Sequence, residues 1–498
     1  MAGNDSVPGI GPDAAKALVE RGNALRTAQR PADALVAYDR ALALRPDYAE
    51  ALNHRGNAMR ELRRPADALA SYDRALALEP DYAAVHYNRA NVLLELQRPA
   101  DALASLDRAL ALEPDDAEAL TVRGNALVDL KRPADALASY ERALALAPDF
   151  VAGHYNRGNV LVELERYDDA LASYDRAVAL DPDGAGAHYN ESLCRLLIGD
   201  FEVGWRKYEW RWRTEQFEPL KRDFEQPLWL GQQPIAGKTV LLHAEQGIGD
   251  TLQFCRYAER VAALGAAVVM EVQPPLRSLL SSLRGVSQLA VRGKPLPRFD
   301  YHCPLLSLPL AFQTTLASAP AEVPYLHSDP SRVRQWRERL GATTQPRVGL
   351  AWAGRAGQGN DQNRSIPLAD FVGLVSRGAQ FVSLQKELRP GDQELLSARR
   401  DVRHVGDELR DFADTAALIE LMDVVVTVDT SVAHLAGAMG KPVWLLLAYN
   451  RDWRWLLDRD DSPWYPTARL FRQKRIGDWD SVVARVRNEL AGIIFPPA

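Results

Sequence analysis

A proline followed by aspartate recurs every 34 residues along the first part of the chain, at Pro46, Pro80, Pro114, Pro148 and Pro182. Three further sets keep the same step: Ala34, Ala68, Ala102, Ala136 and Ala170; Tyr38, Tyr72, Leu106, Tyr140 and Tyr174; and Ala41, Ala75, Ala109, Ala143 and Ala177. A repeat of this length constrains the fold strongly, because each unit must stack on a copy of itself. Each copy reads as a helical hairpin. Gly22, Gly56, Ala90, Gly124 and Gly158 let its two helices approach closely. The prolines stop the second helix, since proline lacks the N–H and clashes with the preceding turn.

Small residue, aromatic, small residue and terminal proline at this period resemble tetratricopeptide repeats (TPRs). The resemblance implies an α superhelical solenoid with a concave groove over residues 11–215, five repeats plus a degraded sixth pair. That last pair, 185–213, carries Trp205, Trp210 and Trp212 and reads as a cap that docks onto the next domain. Asn23, Asn57, Asn91, Asn125 and Asn159 recur once per repeat, and Asn88, Asn156 and Asn190 lie one helical turn before that position or its equivalent. An amide offers both a donor and an acceptor. These rows can pair with an extended peptide backbone, or bond between repeats and hold the solenoid together. The first arrangement resembles the asparagine ladder of O-GlcNAc transferases and implies an acceptor protein as partner. Asp39, Arg40 and their equivalents read as a solvated or inter-repeat salt-bridged face.

Charge and cysteine usage narrow the partners. A net charge of −6 does not suit a nucleic-acid binder. Cys194, Cys255 and Cys303 are far apart and show no metal-ligand spacing, which points to a reducing compartment. No apolar run reaches membrane-spanning length, and the N-terminal stretch lacks a basic start and an apolar segment. A cytoplasmic location is expected.

Beyond a linker at 216–237, the pattern changes to alternating strands and helices. Thr239–His243 reads as a strand, followed by Ala244-Glu245-Gln246-Gly247-Ile248-Gly249-Asp250 and a helix from Thr251. Gly247 and Gly249 permit close backbone approach to a ligand, and Asp250 stands at the helix start as N-cap or as functional acid. Ala266–Val272 and Tyr301–Leu305 supply further strands of a first half, 238–335. A second half, 345–498, opens with the strand Arg347–Trp352 and a polar Gly- and Asn-rich loop. Strands at Phe381–Leu384 and Val402–Val405, a helix at Thr415–Met422 and a final helix at Trp479–Leu490 are expected. The most informative stretch is Val424–Leu447: a β-branched strand, then Asp429, Thr430 and Ser431, a helix ending at Gly440, and a strand from Val443. It places hydroxyls and free N–H groups at a helix N-terminus on the carboxyl edge of a sheet, where α/β folds bind phosphates. Arg364 and Lys386 fall in loops on that edge, where each can neutralise a diphosphate.

Two doubly wound halves in tandem match the plan of GT-B glycosyltransferases. With GIGD at Gly247–Asp250 and DTSVAHLAGAMGKP at Asp429–Pro442, residues 238–498 resemble heptosyltransferases. With the repeats in front, the architecture is similar to O-GlcNAc transferases and bacterial flagellin glycosyltransferases. The resemblance implies a GT-B fold of two Rossmann-like domains, a nucleotide-sugar donor, a protein Ser/Thr hydroxyl as acceptor (a flagellin-like protein among the candidates), and no metal or other cofactor. It implies that Asp250 is the general base. Gly247, Gly249, Arg364, Gln385, Lys386, Asp429, Thr430, Ser431 and His434 would contact the donor, with Lys386 facing the leaving diphosphate. Asp458, Asp460 and Asp461 read as a solvated loop. No counterpart of the catalytic histidine pattern of O-GlcNAc transferases is evident in the first half, which leaves the donor sugar open. A scaffold without turnover and a transferase acting on a saccharide are the alternative readings.

Overall fold

The computed structural model describes residues 12–355 and 361–494. The start of the N-terminal stretch and residues 356–360 of the Gly- and Asn-rich loop lie outside the described residues. The chain divides into two compact units, one ending at Ala187 and one beginning at His188.

In the first unit the expected hairpins are Pro12–Thr27 with Pro31–Leu44, Ala49–Glu61 with Pro65–Leu78, Ala83–Glu95 with Pro99–Leu112, Ala117–Asp129 with Pro133–Leu146, and Val151–Glu163 with Tyr167–Leu180. Each second helix ends two residues before the periodic proline. Four of the five also begin on proline, whose fixed φ and missing N–H suit a first helical turn. The periodic small residue and the periodic aromatic are one steric unit. A Cβ on Gly56 would stand 2.4 Å from Cε1 of Tyr72, and Gly22, Gly124 and Gly158 meet Tyr38, Tyr140 and Tyr174 in the same way. The third repeat departs in both positions together: Ala90 replaces glycine, and Leu106 replaces tyrosine. Between repeats, Arg55, Arg89 and Arg123 each bridge an aspartate of the preceding hairpin and a buried serine of their own, with Asp39 and Ser71 at 2.7 and 2.6 Å from Arg55. The Asp39 row is therefore an inter-repeat salt-bridged ladder.

The second unit holds two all-parallel sheets. Strands β1 (Thr239–His243), β2 (Ala267–Val272), β3 (Val286–Val291) and β4 (Tyr301–Pro304) form the first, in the order β3-β2-β1-β4. Strands β5 (Arg347–Ala351), β6 (Gln380–Ser383), β7 (Val402–His404), β8 (Val424–Val428), β9 (Val443–Leu447) and β10 (Ala468–Arg472) form the second, in the order β10-β9-β8-β5-β6-β7. Strands β5, β8 and β9 are buried throughout, as a central parallel strand requires. The C-terminal helix, Trp479–Ile494, buries Val482, Val486 and Leu490 in the core of the second half, beside Val348 and Val426.

Two boundaries differ from those expected. The degraded sixth pair belongs, from His188 onward, to the second unit. Its aromatic residues explain this: Trp205 is buried, edge-on to Trp453 at 5.1 Å, and Phe201 stacks on Trp464 at 5.9 Å. The segment 216–237 is not a free linker. Trp229 is buried, and its N–H donates to the His302 carbonyl at 2.8 Å, pinning the segment beside β4.

The Gly–Tyr fit gives a stability test. Gly56→Ala overpacks the hairpin and Tyr72→Leu leaves a void, so each single change lowers the free energy of unfolding by about 1–3 kcal/mol. The double variant copies the third repeat and recovers at least half of the summed loss. A double-mutant cycle by chemical denaturation measures the coupling.

Candidate functional site

In the second sheet the chain runs from β5 outward through β6 to β7, then returns to β5's other side with β8. The connections after β5 and β8 therefore leave in opposite directions, and a crevice forms at their carboxyl ends. The first sheet has its own reversal at β1, flanked by β2 and β4. The turn after β1 carries Gly247–Asp250, and the turn after β8 carries Asp429–Ser431.

These two turns meet. Gly249 lies so close to the helix Ser431–Ala438 that a Cβ there would stand 2.8 Å from Cδ2 of His434 and 3.7 Å from Cα of Ser431. Only glycine fits that approach. Gly247 opens its helix, and its N–H donates to Oδ2 of Asp250 at 2.8 Å. Thr430 is the N-cap of the facing helix: its Oγ1 accepts from Val432 N–H at 3.3 Å and pairs with Thr427 Oγ1 at 3.2 Å. Ser431 follows as the first helical residue.

Arg454 links the two walls. It sits on the short 3-10 turn Trp453–Trp455, just beyond β9. Its guanidinium is ion-paired with Asp250 Oδ1, donates through Nε to Gln253 Oε1 at 3.1 Å, and holds both oxygens of Asp452 at 3.1 Å. Burial, and then the nearby Asp452 carboxylate, raise the pKa of Asp429, which Arg454 and Arg364 oppose. His434 is buried, with Nδ1 3.0 Å from the Tyr465 hydroxyl. Burial and the charges of Arg454, Arg256 and Arg364 hold its pKa well below the usual range, so it is neutral. Beneath the first turn, the fully buried Arg211 donates to both oxygens of Glu245, at 3.2 and 3.0 Å, and to Ser307 Oγ at 2.7 Å.

The remaining candidates are placed differently. Arg364 is close enough for its charge to bear on Asp429 and His434. Gln385 is buried and its amide is engaged by backbone: Oε1 accepts from Trp352 and Ala353 N–H, and Nε2 donates to the carbonyls of Ala353 and Glu387. It fixes the loop after β5. Lys386 is exposed, and its Nζ lies 3.5 Å from the Arg410 carbonyl, not on the Asp429–Ser431 turn. In the solenoid, the oxygens of Asn23, Asn57, Asn125 and Asn159 accept from the hydroxyls of Tyr38, Tyr72, Tyr140 and Tyr174 at 2.7–2.8 Å. Asn91, whose repeat has Leu106, donates instead to the Tyr87 carbonyl. Asn88 donates to Asn53 and Asn156 to Asn125, across neighbouring repeats. Asn190 falls in the second unit, on the helix Ala185–Leu197. The four asparagine–tyrosine bonds thus lie within single hairpins, and the Asn88 and Asn156 bonds cross between repeats, as the second reading of these rows expects.

Sequence reasoning missed Arg454, Asp452 and Gln253. A positional signal existed: Asn450-Arg451-Asp452-Trp453-Arg454-Trp455 follows directly on the buried strand β9, at the same carboxyl edge as Asp429.

Comparison with known proteins agrees with this division. Residues 19–83 and 87–149 match tetratricopeptide repeats, as do residues 158–190. Residues 410–475 match glycosyltransferase family 9 (heptosyltransferase), a span that includes β8, the Asp429–Ser431 turn and Arg454. Protein FlbA of Caulobacter vibrioides is 27% identical over 322 residues, covering 59% of this chain and 53% of FlbA. The chain thus spans about half the length of that curated relative. Among solved structures, YrrB, described as a TPR protein with an unusual peptide-binding site, is 27% identical over 35% of this chain and 91% of its own, with a TM-score of 0.32. PilF of Pseudomonas aeruginosa is 21% identical over 42% of this chain and 94% of its own, with a TM-score of 0.38. The chain thus joins a stretch that matches tetratricopeptide repeats to a segment that matches glycosyltransferase family 9. Among the described residues no helix is long and apolar enough to cross a membrane.

The buried imidazoles set a pH dependence. His434 stays neutral in the folded state, and His302 is lowered to about 4 by burial and by Arg222. Below the ordinary pKa of about 6.5 the unfolded state takes up protons that the folded state does not. Their contribution is therefore complete above that pH and is lost as pH falls, at about 1.4 kcal/mol per pH unit for the buried His434. Asp429, raised to about 6, acts in the opposite sense over the same window, so the test is a difference: between pH 7.5 and 5, chemical denaturation should show His434→Gln losing less stability, or gaining more, than the unaltered chain.

Proposed function

We propose that this chain is a glycosyltransferase that moves a sugar from a nucleotide-sugar donor to a protein Ser/Thr hydroxyl, with the repeats recruiting the acceptor. One observation carries the reading. The carboxylate of Asp250, from the first half, is ion-paired with Arg454 from the second, and the neighbouring Gly249 packs against the helix that begins at Ser431. A sugar nucleotide lying between the halves would have its anomeric carbon near the first turn and its diphosphate near the second.

The acceptor oxygen attacks the anomeric carbon as the bond from that carbon to the phosphate oxygen breaks. The bonding pair leaves with the nucleoside diphosphate, and the hydroxyl proton passes to Asp250. Charge grows on the leaving diphosphate. The free N–H groups of the helix beginning at Ser431, the Thr430 hydroxyl and nearby guanidinium groups stabilise that charge without a metal. Neutral His434 adds no positive charge; it packs against Gly249 and lends shape to the nucleotide side. The reading places the reaction in the cytoplasm.

A second reading has a specific observation in its favour. Most of the asparagine rows are engaged within the solenoid, so the acceptor need not be an extended peptide, and a saccharide acceptor becomes a competitor.

Incubation with a panel of nucleotide sugars and candidate acceptor proteins, read by intact mass, tests the first reading. Transfer should persist in EDTA. Asp250→Asn should lower the rate by about 10²–10⁴-fold, the usual worth of a general base, while nucleotide binding survives. Deletion of residues 1–187 discriminates the two acceptor classes: transfer to protein is lost, whereas a saccharide transferase keeps its turnover. Absence of transfer with every donor would refute an enzymatic role.

A further inference from the structure

The arrangement around Asp250 poses a chemical problem for any base. Its Oδ2 accepts from the Gly247 N–H, and its Oδ1 is ion-paired with Arg454. Each oxygen thus has one partner and one lone pair left for a hydroxyl. A proton arriving at Oδ1 would meet the positive charge of the guanidinium already on it.

Arg454 is largely desolvated. Its side chain is 10% exposed, and its guanidinium carbon lies 4.2 Å from the centre of the Trp453 ring, an aromatic face that supports the charge without fixing its direction. Its partners come from three places: Asp250 and Gln253 from the first half, and Asp452 from its own turn. The Gln253 amide is oriented by this contact, since only its oxygen can face a guanidinium. Its Nε2, fully buried, then has no partner. A buried donor without an acceptor is costly. The site is thus one acceptor short beside Gln253, while its cation is held by two carboxylates.

An anion rich in acceptor oxygens corrects both imbalances. A diphosphate at the Ser431 helix terminus would lie beside Asp429, which already feels the charge of Arg454. Guanidinium binds phosphate oxygens in a bidentate fork. Lys386, by contrast, is exposed, with its Nζ 3.5 Å from the Arg410 carbonyl, and its ammonium offers no planar fork.

We propose that Arg454 is the positioning residue that couples donor binding to release of the base: it holds Asp250 while the site is empty and turns to the donor diphosphate when one binds. The inference rests on the transferase reading. Its consequence is order. The carboxylate becomes available to the acceptor hydroxyl only after the nucleotide sugar is seated, and an acceptor arriving first meets an occupied base.

The test is calorimetric titration of the full chain, in EDTA, with UDP, GDP, ADP, CDP and dTDP. In Arg454→Gln the preferred diphosphate should bind at least about tenfold more weakly, the loss of one charge-assisted hydrogen bond. Lys386→Gln should change it by less than about twofold, as an exposed charge does. Asp250→Asn is the decisive variant. It removes the competitor for the guanidinium, so diphosphate should bind at least about threefold more tightly, although a carboxylate is lost. A merely structural brace predicts weaker binding in Asp250→Asn as well, and that outcome overturns the proposal, as does unchanged binding in Arg454→Gln. If Arg454→Gln does not fold, Asp250→Asn decides alone: tighter binding supports the coupling, and equal or weaker binding overturns it. Failure of the unaltered chain to bind any of the five diphosphates refutes the nucleotide-sugar reading itself, and the coupling falls with it. Binding that is normal in the unaltered chain but indifferent to Arg454 refutes the coupling alone.

Discussion

The second unit depends on a close approach. A glycine turn from one sheet lies against a helix from the other, with Gly249 where no side chain fits beside His434. That contact makes one site out of two wound sheets, and it decides which charges face each other. Arg454 is buried there with three polar partners, and a buried guanidinium with fewer would be expensive. The surrounding wall is aromatic: Trp205, Phe254, Trp453 and Trp464 pack edge to face. Their low polarity strengthens every charge interaction inside the site, and it makes an unpaired ion there untenable. The degraded sixth hairpin supplies part of that wall, which is why it departs from the repeat pattern.

The repeats obey a different constraint. Four of the five hairpins share one steric fit between a glycine on the first helix and a ring on the second. The third repeat shows that the fit, and not the residue types, is what each repeat preserves: alanine for glycine goes with leucine for tyrosine. Losing the ring also removes the hydroxyl that would donate to the Asn91 oxygen; that amide is held from its other side, through Nδ2 donating to the Tyr87 carbonyl at 3.1 Å. One substitution pair thus changes packing and hydrogen bonding together.

Much of this was legible in the sequence because local chemistry and tertiary context agree. The prolines, the Gly–Tyr spacing, β1, β8 and β9 stand where local signals put them. Strand β3 escaped notice because it is an exposed edge strand without a clean apolar pattern, and β10 because Arg469 and Arg472 interrupt its run. Lys386 was expected at the diphosphate because it follows a strand on the correct edge. Edge position fixes where a side chain starts; it does not fix where a long, exposed chain ends. Arg454 was missed for the complementary reason: its importance comes from partners some 200 residues away, Asp250 and Gln253, and no local pattern encodes them.

The same logic limits what the solenoid groove can offer a ligand. A row that pairs with both edges of a peptide backbone needs acceptors as well as donors. The oxygen of Asn125 accepts from both Tyr140 and Asn156, which fills its two lone pairs and leaves that amide with donors alone. The oxygen of Asn57 accepts from Tyr72 and keeps one acceptor site. The repeats therefore differ in what they can offer a ligand, although their sequences place the same amide at the same step.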